Sequence, residues 1–216
     1  MIRVEGVTKL FPPDQVVLDG LNLSVQKGDW VWVIGATGIG KSVFLRIIWG
    51  AEKPTDGRVV VFDEDVHKLK EKGLSAYRQR LGIVFQDIRL FDDRSALDNI
   101  VLILRALGFS KKDSIIRAEQ WLERVGMLDV RTRCPYELSV GQRQKIALAR
   151  ALAKEPDLLL MDEPFSALDE KEEREMLKLL GDVNHKGMTI LAASHVHEVL
   201  NFLPGRVLAL TKEGLA

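Results

Sequence analysis

Apolar and polar residues follow three successive rhythms along the 216-residue chain. In the N-terminal third the period is two. Residues 2–7 and 21–25 alternate apolar with polar positions, which predicts half-buried strands. Residues 29–34 form a short apolar run ending in glycines, and residues 58–62 follow Gly57, so both are expected to be strands. In the middle the period lengthens to that of a helix. Residues 96–107, 110–125 and 140–153 carry apolar side chains three and four positions apart, with Gly108 and Gly126 as punctuation. In the second of these, Ile116, Trp121, Leu122 and Val125 are expected on the buried side.

The last third alternates the two rhythms. Strands are expected at 157–161, 188–193 and 206–210, helices at 170–180 and 195–202, and a turn at Lys212-Glu213-Gly214. Strand–helix alternation argues for a parallel sheet with helices on its faces. The helical stretch between about residues 87 and 138 is then an insertion into the sheet domain.

Charge and composition narrow the function classes. Lys plus Arg equals Asp plus Glu, 31 against 31, so no global field draws the chain to nucleic acid or to an anionic membrane. A single cysteine, Cys134, rules out a disulfide within the chain and fits a reducing compartment. The N-terminus lacks a basic segment followed by an apolar core, so no signal peptide is expected. Apolar runs such as residues 101–104 are far too short to span a bilayer, so work at a membrane needs a second chain for the spanning part.

The chemistry concentrates after the strands. Gly35, Ala36, Thr37, Gly38, Ile39, Gly40, Lys41 and Ser42 fulfil G-x-x-x-x-G-K-[ST] between an expected strand and an expected helix at 41–49. Glycines let backbone N–H groups converge on phosphates, and the helix N-terminus adds its unpaired donors and positive dipole end. Lys41 is placed for the β- and γ-phosphates of a nucleotide, and the Ser42 hydroxyl for Mg²⁺. The strand over 157–161 runs into Asp162, fit for the magnesium shell, and Glu163, fit to polarise an attacking water. Gln86 ends the strand at 81–85, where its amide oxygen is a candidate Mg²⁺ ligand, though a loop glutamine there is the plainer reading. His195 follows the strand at 188–193, an end that faces the crevice of a parallel sheet, though by position alone a surface histidine is the plainer reading, as for His67, His185 and His197. Leu138-Ser139-Val140-Gly141-Gln142 opens a long helix, with Ser139 as N-cap and Gly141 leaving the first turn open. It reads either as a second anion site or as an ordinary capped helix.

In this order the motifs resemble those of the ATP-binding-cassette (ABC) family over essentially the whole chain. The resemblance makes Phe11 the adenine-stacking aromatic, Gly35 to Ser42 the Walker A, and Gln86 the Q-loop. Leu138 to Gln142 is the signature, Leu158 to Glu163 the Walker B, Ser166-Ala167-Leu168-Asp169 the D-loop and His195 the switch histidine. Val140 departs from the pattern by replacing the first glycine of LSGGQ. The implied fold is an α/β P-loop NTPase of ABC type. Its mainly parallel core (1–86 and 154–216) carries an N-terminal antiparallel β-subdomain, and residues 87–153 form a helical subdomain.

The implied activity is MgATP hydrolysis by a head-to-tail homodimer. Ser139, Gly141, Gln142 and Asp169 would act on the partner's ATP, and the protein would sit peripherally on the cytoplasmic side of the cell membrane against an integral membrane partner. Phe85-Gln86-Asp87, Leu90 and residues 93–100 resemble the family's bacterial cell-division branch, which acts in control of cell-wall hydrolysis. The lipoprotein-release and macrolide-export branches are built similarly. Leu90 and Phe91 are candidates either for the docking groove of the membrane partner or for packing within the helical subdomain. No nucleic-acid partner is expected.

Overall fold

The computed structural model describes residues 1–195, 205–211 and 214–215. Strands β1 (Ile2–Phe11), β2 (Gln15–Val25), β4 (Asp56–Val61) and β5 (Glu64–Asp65) form one antiparallel sheet in the order β2-β1-β4-β5. Strands β3 (Trp30–Ile34), β6 (Leu81–Val84), β7 (Leu158–Asp162), β8 (Thr189–Ser194), β9 (Arg206–Thr211) and β10 (Gly214–Leu215) form the second, in the order β10-β9-β3-β8-β7-β6. Every pairing in it is parallel except β9 with β10. The α/β fold with an antiparallel N-terminal sheet is therefore as the sequence predicts.

The pleat of the parallel strands explains why their apolar runs are continuous. Trp30, Trp32 and Ile34 of β3 enter one core, while Val31 and Val33 enter another on the opposite face. Likewise Leu159 and Met161 of β7 face the first core, and Leu158 and Leu160 the second. The first core is covered by helices α3 (Ala96–Ala106), α4 (Lys111–Arg124), α5 (Val140–Leu152) and α6 (Glu170–His185). The second is covered by α1 (Lys41–Ile48) and the antiparallel sheet.

Several boundaries move. β1 and β2 run well past the period-two segments, because register shifts after Val4, Val7 and Lys9 break the alternation without ending the pairing. α6 continues to His185, since Val183 extends the buried stripe of Met176, Leu177, Leu179 and Leu180. A helix that apolar periodicity does not predict, α2 (Glu71–Gln79), is held by tertiary bonds. The buried Tyr77 hydroxyl donates to Ile48 O at 2.6 Å, and the Arg78 guanidinium to Gly50 O at 2.8 Å.

In α4 the expectation for Ile116 is wrong. It is exposed, while Ser114, Ala118, Trp121, Leu122 and Val125 are buried. Ser114 tolerates the interior because its hydroxyl donates to Ser110 O at 2.8 Å. His67 is half-buried rather than a plain surface residue: its Nε2 atom is covered without a hydrogen-bond partner, and burial holds its pKa below the ordinary value. His185 is exposed as expected. The expected helix at 195–202, the turn residues Lys212 and Glu213, and His197 lie outside the described residues. No helix among the described residues is long and apolar enough to cross a membrane.

Candidate functional site

Four parallel strands end on one side of the sheet, and their following loops hold the chemistry. β3 feeds the glycine loop 35–40, β6 feeds Gln86, β7 ends at Asp162 with Glu163 next, and β8 leads to His195. This is the carboxyl edge, where open α/β sheets bind ligands. A cleft of about 300 Å³ is lined there by Thr37, Lys41, Ser42, Gln86, Glu163 and His195, among others.

The glycine loop turns into α1 at Gly40, whose backbone is left-handed at φ 113°. A side chain there would also meet Leu18 Cδ2 at 2.8 Å and Val17 O at 3.0 Å, so only glycine fits on either count. Lys41 is buried, and its ammonium donates to Gly35 O at 2.7 Å and Ala36 O at 3.2 Å. It also stands 3.6 Å from Glu163 Oε1. A buried ammonium without such partners would be costly, so the lysine is folded back onto its own loop and the facing carboxylate.

Glu163 is buried and has a left-handed backbone, φ 48°, which a non-glycine residue keeps only when its surroundings dictate it. Its N–H donates to Ala193 O at 2.9 Å. Its carbonyl accepts from Gln144 Nε2 at 2.9 Å and from the Ser166 hydroxyl at 3.2 Å. The carboxylate Oε2 accepts from the backbone N–H of His195 at 3.3 Å and lies 2.7 Å from His195 Nδ1. The site therefore holds a carboxylate clamped between a lysine and a histidine, aimed into the cleft.

Asp162 shows how a divalent cation would fit. Burial raises its pKa, the Ser42 hydroxyl hydrogen bond draws it back, and the Glu163 charge pushes it up further. Its Oδ1 is buried with no hydrogen-bond partner. An orphaned carboxylate oxygen beside a serine hydroxyl is the hard-oxygen environment that Mg²⁺ takes, and the exposed Gln86 amide is on the same cleft. Among the described residues no cluster of three or more His, Cys, Asp or Glu is placed to hold a metal ion.

Other expected residues lie elsewhere. Phe11 ends β1 under the Lys9 ammonium, 4.7 Å from the ring centre, and is not among the residues lining the cleft, whereas Val17 is. Ser139 and Gln142 form a capping box: Gln142 N donates to Ser139 Oγ at 3.1 Å and Ser139 N to Gln142 Oε1 at 3.0 Å. Ser139 Oγ only accepts in this box, so its hydroxyl proton remains to give. Asp169 caps α6 by accepting from Glu172 N at 2.8 Å. Gly141 is not open on its inner side; an added Cβ would lie 2.8 Å from Ala167 O. Val140 is exposed.

Sequence reasoning overlooks Gln144 and Lys145. Gln144 is buried and bonded to the 163–167 loop, and Lys145 pairs with Glu172 at 2.6 Å. The available signal is that Gln144 and Lys145 directly precede the apolar run 146–149 of a helix whose cap, Ser139, is little more than one turn away.

A family model described as "ABC transporter" matches residues 18–166. The chain belongs to that family. A methionine import ATP-binding protein, MetN 2 of Rhodococcus jostii, is 39% identical over 98% of this chain and 64% of its own length. The cell-division ATP-binding protein FtsE of Mycobacterium tuberculosis is 38% identical over 98% of this chain and 92% of its own length. The chain thus spans about six tenths of the methionine-import relatives it matches and most of the cell-division one. Among solved structures, a dimeric post-hydrolysis state of the ATP-binding cassette MJ0796 bound to ADP and Pi superposes with a TM-score of 0.92. It is 31% identical and covers 100% of this chain and 96% of that one.

Proposed function

We propose that this ABC-family chain binds MgATP in the cleft between the glycine loop and Glu163, and hydrolyses it when two copies close head-to-tail on two nucleotides. The observation that carries the reading is the convergence of Lys41, Ser42, Glu163 and His195 on that one cleft, with Asp162 hydrogen-bonded to Ser42 beside it. Lys41 leaves Gly35 O and Ala36 O for the β- and γ-phosphates, trading two carbonyls and a carboxylate for a more highly charged partner. Glu163 then orients the water and takes its proton, and His195 donates towards the γ-phosphate. Bound Mg²⁺, held by Ser42, Gln86 and Asp162, would neutralise phosphate charge. Ser139, Gly141, Gln142 and Asp169 of the twin would close over the γ-phosphate, and Phe11 would stack on adenine. Hydrolysis removes a group bound by both copies, so the dimer opens.

A groove of about 540 Å³ that shares Ser42, Gln86 and Asp162 with the cation site and is lined further by Arg46, Trp49, Phe85 and Arg89 is the proposed seat for an integral membrane partner on the cytoplasmic face. The exposed Phe91 stands beyond it in the same loop, while Leu90 packs on the core. Residues 87–153 would act as the lever between groove and nucleotide.

For the biological role we favour an FtsE-like subunit working with an FtsX-like membrane protein. The residues 85–100 pattern and the similarity to FtsE of Mycobacterium tuberculosis support it. Comparable similarity to methionine import proteins supports a second reading, an importer subunit. Co-purification with the membrane partner separates the two.

The decisive test of the enzymatic reading is Glu163→Gln. It should leave ATP affinity intact, nearly abolish phosphate release, and trap an ATP-dependent dimer in size-exclusion chromatography. Normal turnover by this variant would remove Glu163 from the role of base.

A further inference from the structure

We infer that Gln144 is a positioning residue that ties the Glu163 carboxylate to the signature helix of its own chain. The contact that helix makes on the partner's ATP thereby sets the base over the chain's own ATP. This rests on the head-to-tail reading above.

The side chain of Gln144 is 1% exposed and uses both ends of its amide. Nε2 donates to Glu163 O at 2.9 Å, and Oε1 accepts from Ala167 N at 3.2 Å. It is therefore a brace between α5 and the loop that follows β7. Two neighbours stiffen the brace. Gly141 abuts the same loop, its Cβ position 2.8 Å from Ala167 O, and Lys145 Nζ meets Glu172 Oε1 at 2.6 Å at the start of α6. The first two turns of α5 and residues 163–172 thus share a close-packed seam, crossed by hydrogen bonds from Gln144 and Lys145.

Glu163 is where such a seam matters. Its left-handed backbone is fixed from outside, and the Gln144 bond is the shortest of those its carbonyl accepts. From that backbone the carboxylate reaches Lys41 and His195. Ser139, the cap of the same helix, lies five residues before Gln144, little more than one turn away. A displacement of α5 is passed through the amide to the carboxylate, because a packed seam moves as a body. Occupation of one site is then felt at the other through residues of a single chain.

Mixed dimers test this, assembled from differently tagged copies with MgATP. The reference pairs a Glu163→Gln protomer with a wild-type one, leaving one competent site. Placing Gln144→Met in the competent protomer should lower kcat about tenfold or more, since a shift near 1 Å in a reacting group is that costly. KM should stay within about twofold, because the nucleotide's own contacts are untouched. Placing Gln144→Met instead in the Glu163→Gln protomer, whose signature covers the competent ATP, should change kcat by less than about twofold.

Gln144→Glu repeats the test should Gln144→Met not fold. It keeps an acceptor for Ala167 N and loses the donor to Glu163 O, so it should lower kcat in the same protomer only. ADP affinity of each variant alone reports that its fold is intact. The inference is overturned if the second placement costs as much as the first, or if the first costs nothing. A reference pair that never associates with ATP overturns the head-to-tail reading itself, and the inference with it.

Discussion

Glycine to alanine inside a helix normally stabilises, by about 0.5–1 kcal/mol, because it removes freedom from the unfolded chain. This protein offers the same substitution in two helices with opposite expected signs. At Gly181, within α6, nothing lies within 4 Å of an added Cβ, so Gly181→Ala should gain about the full increment. At Gly141, in the first turn of α5, the methyl would sit 2.8 Å from Ala167 O and 3.3 Å from Leu168 Cδ2. The carbonyl has little room to retreat: Ala167 N is bonded to Gln144, and Leu168 N to Phe165 O at 3.0 Å. Forcing a methyl into such a seam costs about 1–3 kcal/mol, more than the helix gain. Gly141→Ala should therefore lose about 1 kcal/mol net while Gly181→Ala gains somewhat less. For a chain of this size each kcal/mol is worth about 2–4 °C in Tm. Thermal and guanidinium unfolding of the two variants, with m-values checked for equality, isolates the clash as their difference. If Gly141→Ala is as stabilising as Gly181→Ala, the seam between α5 and the 166–168 loop is not packed as described, and the role given to Gln144 loses its support.

Two further outcomes follow from buried titrating groups. Asp162 has its pKa raised chiefly by burial, so its charged form is disfavoured by folding; that stability is present below the unfolded pKa near 3.8 and is lost as pH rises. At neutral pH Asp162→Asn should therefore raise the Tm of the magnesium-free protein, yet weaken Mg²⁺-dependent ATP stabilisation by about ten- to hundredfold in affinity, as calorimetry would show. An unchanged magnesium dependence would remove Asp162 from the cation site. His67 has its pKa lowered, mainly by burial and despite the nearby Asp65, so the unfolded chain takes up its proton first. Stability should fall as pH drops through about 6.5, and His67→Gln should flatten that slope in denaturant titrations between pH 7 and 5. An unaltered slope would mean that His67 is not buried.

The parts of this protein that depend on neighbours in sequence are legible without a structure. The glycine loop, the capping Ser139, and the apolar runs of β3, β7 and β8 each work within a few residues, because a turn, a cap or a pleat is a local object. Even Asp162 and Glu163 are readable, since a strand that ends in carboxylates at the sheet's carboxyl edge needs only the strand to be recognised.

What only the tertiary structure decided is set by residues far apart in the chain. α2 forms on bonds from Tyr77 and Arg78 to residues 28–29 positions earlier, which periodicity cannot register. Ile116 faces solvent while Ser114 is buried, because what lies against α4 determines its buried face. Gly141 looks open in sequence and is closed in space, and Gln144 looks like one more helix glutamine until its amide meets Glu163 nineteen residues on. Patterns along the chain report which surfaces want burial; which atoms then touch is fixed by packing at near-crystalline density, where a single methyl or amide decides the outcome.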